Sequence, residues 1–429
     1  MRGLYSATVL DSFARHFAAA RKLKAIDVGR GFDLIVGTST GGLVGCSLAL
    51  GLSPREITDL FRQVGPLLFR RPVPSSRVGF ARWVAGTLRR AANSDDSLRH
   101  ALGERFGDTT LEELFLRRGI ALCVPSVNVR TGRSWVFKTP HLPDLTRDRH
   151  FKVIDVCLST SAAPIYLPLA AVDDPEDAQH QLMLADGGLW ANNPVLIGLI
   201  EALALAPPGR SIQVLSVSTC PAPMGTIASR KTRHWGLLDW KAGTGALNMA
   251  LEAQSWGYHY MAFRLAEILR DEGRECHVIR IPHSPPGPAQ APHVGLDNAS
   301  DNAMQILAEL GRLDGDVEAA KSRWASPEIA AMVRDMFFGM PALWKTDPYT
   351  DRRQFPRTVH HLQLSTELTL RNYSSRGACL SCAGAVPAPG SAFQYSATSG
   401  PLQGTVRWAR QLHNGLGVFG IETEFPPMP

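Results

Sequence analysis

An α/β sandwich around a mostly parallel sheet is the fold class that the sequence predicts, and three observations predict it. Short apolar runs of strand length alternate with longer runs of helical periodicity as far as residue 281. One of those strands runs directly into a Gly-Thr-Ser-Thr-Gly turn at residues 37–41, and an apolar helix leaves it. The chain has 429 residues and 45% apolar content, enough for one large domain with an appendage or for two domains.

The elements follow in order. Leu4, Val9, Leu10, Phe13 and Phe17 make a helical stripe over residues 4–20. Gly29-Arg30-Gly31 interrupts the chain before a short strand from Phe32 to Val36. Leu43 to Leu50 reads as a buried helix stopped by Gly51. Ser53-Pro54 opens a surface helix over 53–63. Residues 77–92 place Phe80, Trp83, Val84, Thr87 and Leu88 at helical spacing among Arg77, Arg82, Arg89 and Arg90. A strand is expected at 120–127 and a helix at 151–163, closed by Pro164. Leu182 to Ala185 is a strand leading into Asp186-Gly187-Gly188. A helix over 194–205, a strand over 212–217, a long helix over 243–271 and a strand over 277–281 complete the pattern.

After about residue 325 the character changes, and residues 373–404 are dense in Gly, Ser, Pro and Ala. The expected organisation is therefore one domain over 1–325 and an appendage over 326–429, partly loop or disordered.

Composition excludes some classes. A charged fraction of 20% with well-spread apolar residues argues against wholesale disorder. No apolar run reaches the ~18 residues of a membrane span, and the N-terminus lacks the apolar core of a signal peptide. Net charge of +6 suits anionic surfaces and serves solubility equally. Cys46, Cys123, Cys157, Cys220 and Cys276 sit singly in apolar runs and read as core thiols. Cys379 and Cys382 form a C-x-x-C with no second ligand pair nearby, so no metal is expected. The odd, scattered cysteines point to a reducing, cytoplasmic setting.

Chemistry concentrates at Ser39. A serine at a strand-to-helix turn stands exposed at the strand end, with Gly37 and Gly41 permitting the tight turn. The backbone N–H of Thr40 and the helix N-terminus behind it face any oxyanion formed there. A serine needs a base. Asp186, placed after a strand and before two glycines, is positioned to be one, although Asp-Gly also marks ordinary turns. His150, His180 and His283 lie near element ends without a motif around them, and the His360-His361 pair falls in the appendage.

Four ordered segments together resemble the patatin-like phospholipase family. Gly37-Thr38-Ser39-Thr40-Gly41-Gly42 matches its nucleophile motif, and Asp186-Gly187-Gly188 its second catalytic motif. Ser161-Ala162-Ala163-Pro164, with Tyr166 and Pro168, and Asn192-Asn193-Pro194 match the segments flanking that aspartate. The resemblance covers about residues 1–325. It implies a three-layer sandwich and a Ser39–Asp186 dyad that cleaves phospholipid or lysophospholipid esters through an acyl-enzyme, without metal or organic cofactor. It implies contact with lipid and none with nucleic acid. The family opens with a strand and a G-G-G-x-R-G loop that completes the oxyanion hole. Here Arg2-Gly3 and the following helix match only the end of that motif, so the chain is expected to be truncated at its start. A non-catalytic binding protein on the same scaffold is the alternative, and a histidine-dependent acyltransferase fits the Asp-Gly-Gly context less well. The helix from Gly3 also resembles bacterial patatin-like proteins, some of which are nucleotide-activated effectors of anti-phage defence. The 77–92 helix suits the inner face of a membrane, with Phe80 and Trp83 inserting among arginines that meet phosphate, or packing on the core instead.

Overall fold

The computed structural model describes residues 1–74, 76–220, 230–236, 239–240, 243–321, 326–343, 358–363, 368–374, 377–383, 385–397, 400–411 and 416–422. The chain divides into two compact units, residues 1–140 with 145–344 and residues 141–144 with 345–429.

The first unit is the α/β body. Helix α1 (Gly3–Ala20) is buried along most of its length, because it carries apolar residues on nearly every side. It packs on α3 (Pro54–Leu68) and on α11 (Asp301–Lys321), and Phe337 of α12 (Pro327–Gly339) lies 4.9 Å from Phe13 and 5.3 Å from Phe17.

The sheet beneath runs β1 (Leu34–Val36), β2 (Ala121–Asn128), β5 (Asp177–Asp186), β4 (Ala170–Asp174), with β3 (Arg133–Lys138) added to β2. Strand β1 pairs with β2 in parallel, joined through α2 (Thr40–Leu50), α3, α4 (Arg77–Thr87), α5 (Asp96–Phe106) and α6 (Leu111–Arg118). Strands β3, β4 and β5 join by antiparallel pairing. A second parallel pair, β6 (Ile212–Ser216) and β7 (Cys276–Arg280), is connected by α10 (Thr244–Asp271). Both parallel pairs thus need helical crossovers, and that requirement produces the alternating pattern in the sequence.

Helices cover both faces, giving three layers. Successive side chains of a strand point to opposite faces. In β1, Ile35 lies over Gly45 of α2, whereas Val36 lies over Gly198 of α9 (Val195–Leu205). Helix α7 (Val153–Ser161) packs beside α2, and the short α8 (Gly188–Ala191) and α9 lie against α10.

The placement that matters for function occurs on one edge of β2. Thr139 donates its N–H to Leu122 O, so the Leu122 backbone faces the β3 side. Gly37 donates to Cys123 O, so β1 lies on the other edge. Strand β5 pairs with Ser126, Val127 and Asn128, a stretch that β3 also flanks, so β5 must share the edge with β1. Running in opposite directions, β1 and β5 meet nearly end to end, with Val36 opposite Cys123 and Asp186 opposite Ser126.

The second unit holds six antiparallel strands, β8 (Thr358–Gln363) to β13 (Leu416–Glu422), in the order β11-β12-β13-β10-β9-β8. Here β9 is Leu368–Ser374, β10 Gly377–Ala383, β11 Ala392–Ala397 and β12 Gly400–Gln411. Leu368, Leu380, Val406, Phe419 and Ile421 form its core. The Gly- and Ser-rich stretch expected to be partly loop therefore carries regular strands. Their apolar residues alternate over runs too short and too glycine-interrupted to stand out in sequence. The Cys379–Cys382 pair falls on β10, and the side chain of Cys379 lies outside the described residues, as do those of His360 and His361. The five single cysteines are buried thiols. Among the described residues no helix is long and apolar enough to cross a membrane.

Candidate active site

Strand β1 ends at Val36, and the chain reverses through Gly37, Thr38 and Ser39 into α2. Ser39 has φ 55° and ψ −127°, a conformation that a side-chain-bearing residue adopts at a cost of about 1–3 kcal/mol. Three contacts hold it there. The Ser39 N–H donates to Thr160 Oγ1 at 2.9 Å, Thr160 donates onward to Pro125 O at 2.6 Å, and Thr38 Oγ1 donates to Ala191 O at 2.7 Å. A β-carbon on Gly37 would lie 2.2 Å from Gly41 O, so only glycine closes this turn.

Asp186 arrives from β5. Its N–H donates to Ala162 O at 2.9 Å, so the Ser161-Ala162-Ala163-Pro164 segment fixes its backbone. Ser39 Oγ donates to Asp186 Oδ2 at 2.6 Å, and the Gly188 N–H donates to Oδ1 at 2.7 Å. Each carboxylate oxygen thus has one partner. The side chain is buried, and burial pushes its pKa up from 3.8 to about 6, with the hydrogen bonds from Ser39 and Gly188 pulling the other way. An acid poised there is ionised at neutral pH yet basic enough to take a proton.

Above the pair opens a cavity of about 130 Å³ with a mainly apolar lining. Ile57, Leu60, Phe61, Val64 and Leu68 from one stripe of α3 form one wall. Leu98, Tyr166, Leu167, Leu247 and Leu251 supply others, and among the described residues no histidine lines it. Apolar walls around a serine bonded to a buried carboxylate suit a long acyl chain whose carbonyl stops at Ser39.

The remaining expected residues are nearby. Thr40 is the first residue of α2, and among the described residues its N–H has no hydrogen-bond acceptor. Gly3 sits against Thr40, since a β-carbon added to Gly3 would come within 2.7 Å of Thr40 Cβ. The N-terminus of α1 is therefore beside the elbow. Arg2 lines the cavity, but its guanidinium turns to Glu252 Oε1 and Val294 O, both at 3.3 Å. Asn192 and Asn193 dock the end of the Asp186 loop onto α10 by donating to Leu251 O and Ser255 O. Sequence reasoning missed Thr160, although it directly precedes the Ser161-Ala162-Ala163-Pro164 motif.

Fold and site together fit a hydrolase on an α/β scaffold. Known proteins agree. The patatin-like phospholipase model matches residues 1–199. A cGAMP-activated phospholipase of Pseudomonas aeruginosa is 34% identical over 263 residues, 61% of this chain and 71% of the relative. One from Vibrio cholerae is 32% identical over 337 residues, 75% of this chain and 89% of the relative. The chain belongs to the patatin-like phospholipase family.

Proposed function

We propose that this chain releases fatty acids from phospholipids or lysophospholipids by a Ser39–Asp186 dyad. The observation that carries the reading is the 2.6 Å hydrogen bond between Ser39 Oγ and the buried Asp186 carboxylate. Asp186 takes the Ser39 proton as Oγ attacks the ester carbonyl. The tetrahedral oxyanion accepts hydrogen bonds from the Thr40 N–H and from the start of α1 at Gly3, both at helix N-termini. The proton then passes from Asp186 to the leaving alcohol, leaving an acyl-Ser39. Water, deprotonated by Asp186, attacks that ester, and Ser39 recovers its proton as the fatty acid leaves.

The substrate comes from a membrane, and α4 is the contact. None of its described side chains is buried, Val78 is 67% exposed, and Leu88 just beyond it is 76% exposed. Trp83 donates from its indole N–H to Arg71 O and stands 6.3 Å from Tyr166, which lines the cavity. An apolar helix with Arg82, Arg89 and Arg90 around it suits an anionic bilayer at the pocket mouth. The relatives named cGAMP-activated phospholipase support control of this hydrolase by a cyclic nucleotide.

Ser39→Ala and Asp186→Ala test the dyad in a fluorogenic-ester assay. Each is expected to abolish release while the circular dichroism spectrum is unchanged. Activity retained in either variant overturns the dyad.

A further inference from the structure

We propose that the gap between α2 and α3 is a slot of fixed length for the acyl chain, and that Ser47 and Ile57 end it and so set the preferred chain length. The proposal rests on the Ser39–Asp186 reading, because it takes Ser39 as the point where the chain begins.

Two facing stripes build the slot. Thr40, Leu43 and Ser47 recur at helical spacing on α2 and line the cavity, and the α3 stripe that begins at Ile57 lines it opposite them. Only Gly51, Leu52 and Ser53 join the two helices, so α3 turns back along α2. A β-carbon on Gly3 would meet Thr40 and Phe61, each at 2.7 Å, which puts these two residues at one end, beside the elbow. Ser47 precedes Gly51 by four residues and Ile57 follows Ser53 by four, so this pair lies at the other end, toward the connection.

The two ends differ in access. Ser47 and Ile57 are both 0% exposed, so their end is shut. Leu189 and Leu296, which also line the cavity, are 39% and 36% exposed and mark the mouth. An apolar chain is stabilised most in the shut arm, while the polar leaving group stays at the mouth in water. Ser47 donates its hydroxyl back to Leu43 O at 2.7 Å, so it stops the chain as a small wall and not as a free donor.

Helix geometry gives the length. Ser47 lies eight residues beyond Ser39, about 12 Å along the helix at about 1.5 Å per residue, which an extended chain covers with about nine or ten carbons at about 1.3 Å each. A longer chain must displace side chains that are packed on all sides, and close-packed interiors resist that.

A competition experiment on the full chain reads the slot. An equimolar mixture of p-nitrophenyl esters with saturated chains of four to sixteen carbons is presented in one nonionic-detergent micelle, and the released fatty acids are counted by mass spectrometry. Relative kcat/KM should climb about three- to fourfold per methylene and stop climbing at about ten carbons. Ile57→Ala, which opens the end, should move that break about two carbons longer. Ser47→Val, which fills it, should move the break about one or two carbons shorter. General loosening of the fold would not shift the break in opposite directions. Should Ile57→Ala fail to fold, the wild type and Ser47→Val decide. A wild-type profile that climbs to sixteen carbons, or a break that stays in place in the folded variants, overturns the slot and leaves the dyad standing. No release by the wild type, or undiminished release by Ser39→Ala, overturns the dyad and the slot with it.

Discussion

Ser39 and Asp186 are 147 positions apart in sequence, yet Ser39 Oγ donates to Asp186 Oδ2 at 2.6 Å because their strands end head to head on one edge of β2. Strand β1 delivers the serine at Cys123 and β5 delivers the aspartate at Ser126. Three residues of β2 thus set the distance between Ser39 and Asp186, and a rigid strand sets it more firmly than loops could.

The first prediction concerns pH. Burial raises Asp186 to about 6, and the mechanism needs its ionised form. The kcat/KM for a soluble ester should rise about tenfold per pH unit below that value and level off above it, reporting one deprotonation. A plateau extending unchanged to pH 4.5 would place the base elsewhere.

The second follows from the same shift by linkage. The folded pKa of Asp186 exceeds the unfolded value of 3.8, so the protonated acid favours folding. That contribution is complete below 3.8 and is lost as pH rises through about 6. Asp186→Asn keeps a neutral side chain at all pH. It should be inactive yet more stable than the wild type at pH 8, by at most about 3 kcal/mol, with the gain gone near pH 3.5. Urea denaturation at both pH values reads this, and equal stability at pH 8 would count against a costly buried charge.

The third concerns Thr160, which accepts the Ser39 N–H and donates to Pro125 O. Thr160→Val removes both bonds while keeping the shape. The elbow should lose its fixed orientation, lowering kcat about 10- to 100-fold with little change in KM. Unchanged kcat would mean that the turn is held by its glycines alone.

How much of this was legible in sequence depends on the residues concerned. The motif glycines, Ser39 and Asp186 were readable because a turn of this kind admits few residue types. Thr160 was not, since a threonine near a helix end has many ordinary uses and its partner lies 121 residues away. Helix α6 does not stand out in sequence despite a Thr110–Glu113 capping box and a left-handed Gly119, because with eight residues it is too short to show periodicity. Strands β3 and β4 are exposed in part and carry polar residues, so neither stands out as an apolar run.

A fourth prediction tests the body of the fold. Arg118 and Asp27 form a buried bidentate pair, with both carboxylate oxygens 2.8 Å from Nη2, and Arg118 Nε donates to Ala49 O at 3.0 Å. Arg118→Met leaves the Asp27 carboxylate buried and unmatched, so stability should fall by about 3–5 kcal/mol in urea. A loss under 1 kcal/mol would show that water reaches Asp27 easily.

The fifth concerns the lipid surface. Val78→Asp with Leu88→Asp places negative charge on the exposed face of α4. Hydrolysis of anionic vesicles should fall at least about tenfold more than hydrolysis of a soluble ester. Equal losses on both substrates would remove α4 from the membrane contact.

The most direct test of the central claim is fluorophosphonate labelling of the full chain at pH 8, with and without cyclic GMP–AMP, read by peptide mass spectrometry. One adduct on the peptide containing Ser39 is predicted, absent in Ser39→Ala and strongly slowed in Asp186→Asn. An adduct on another serine, or no adduct under either condition, would contradict a Ser39–Asp186 hydrolase.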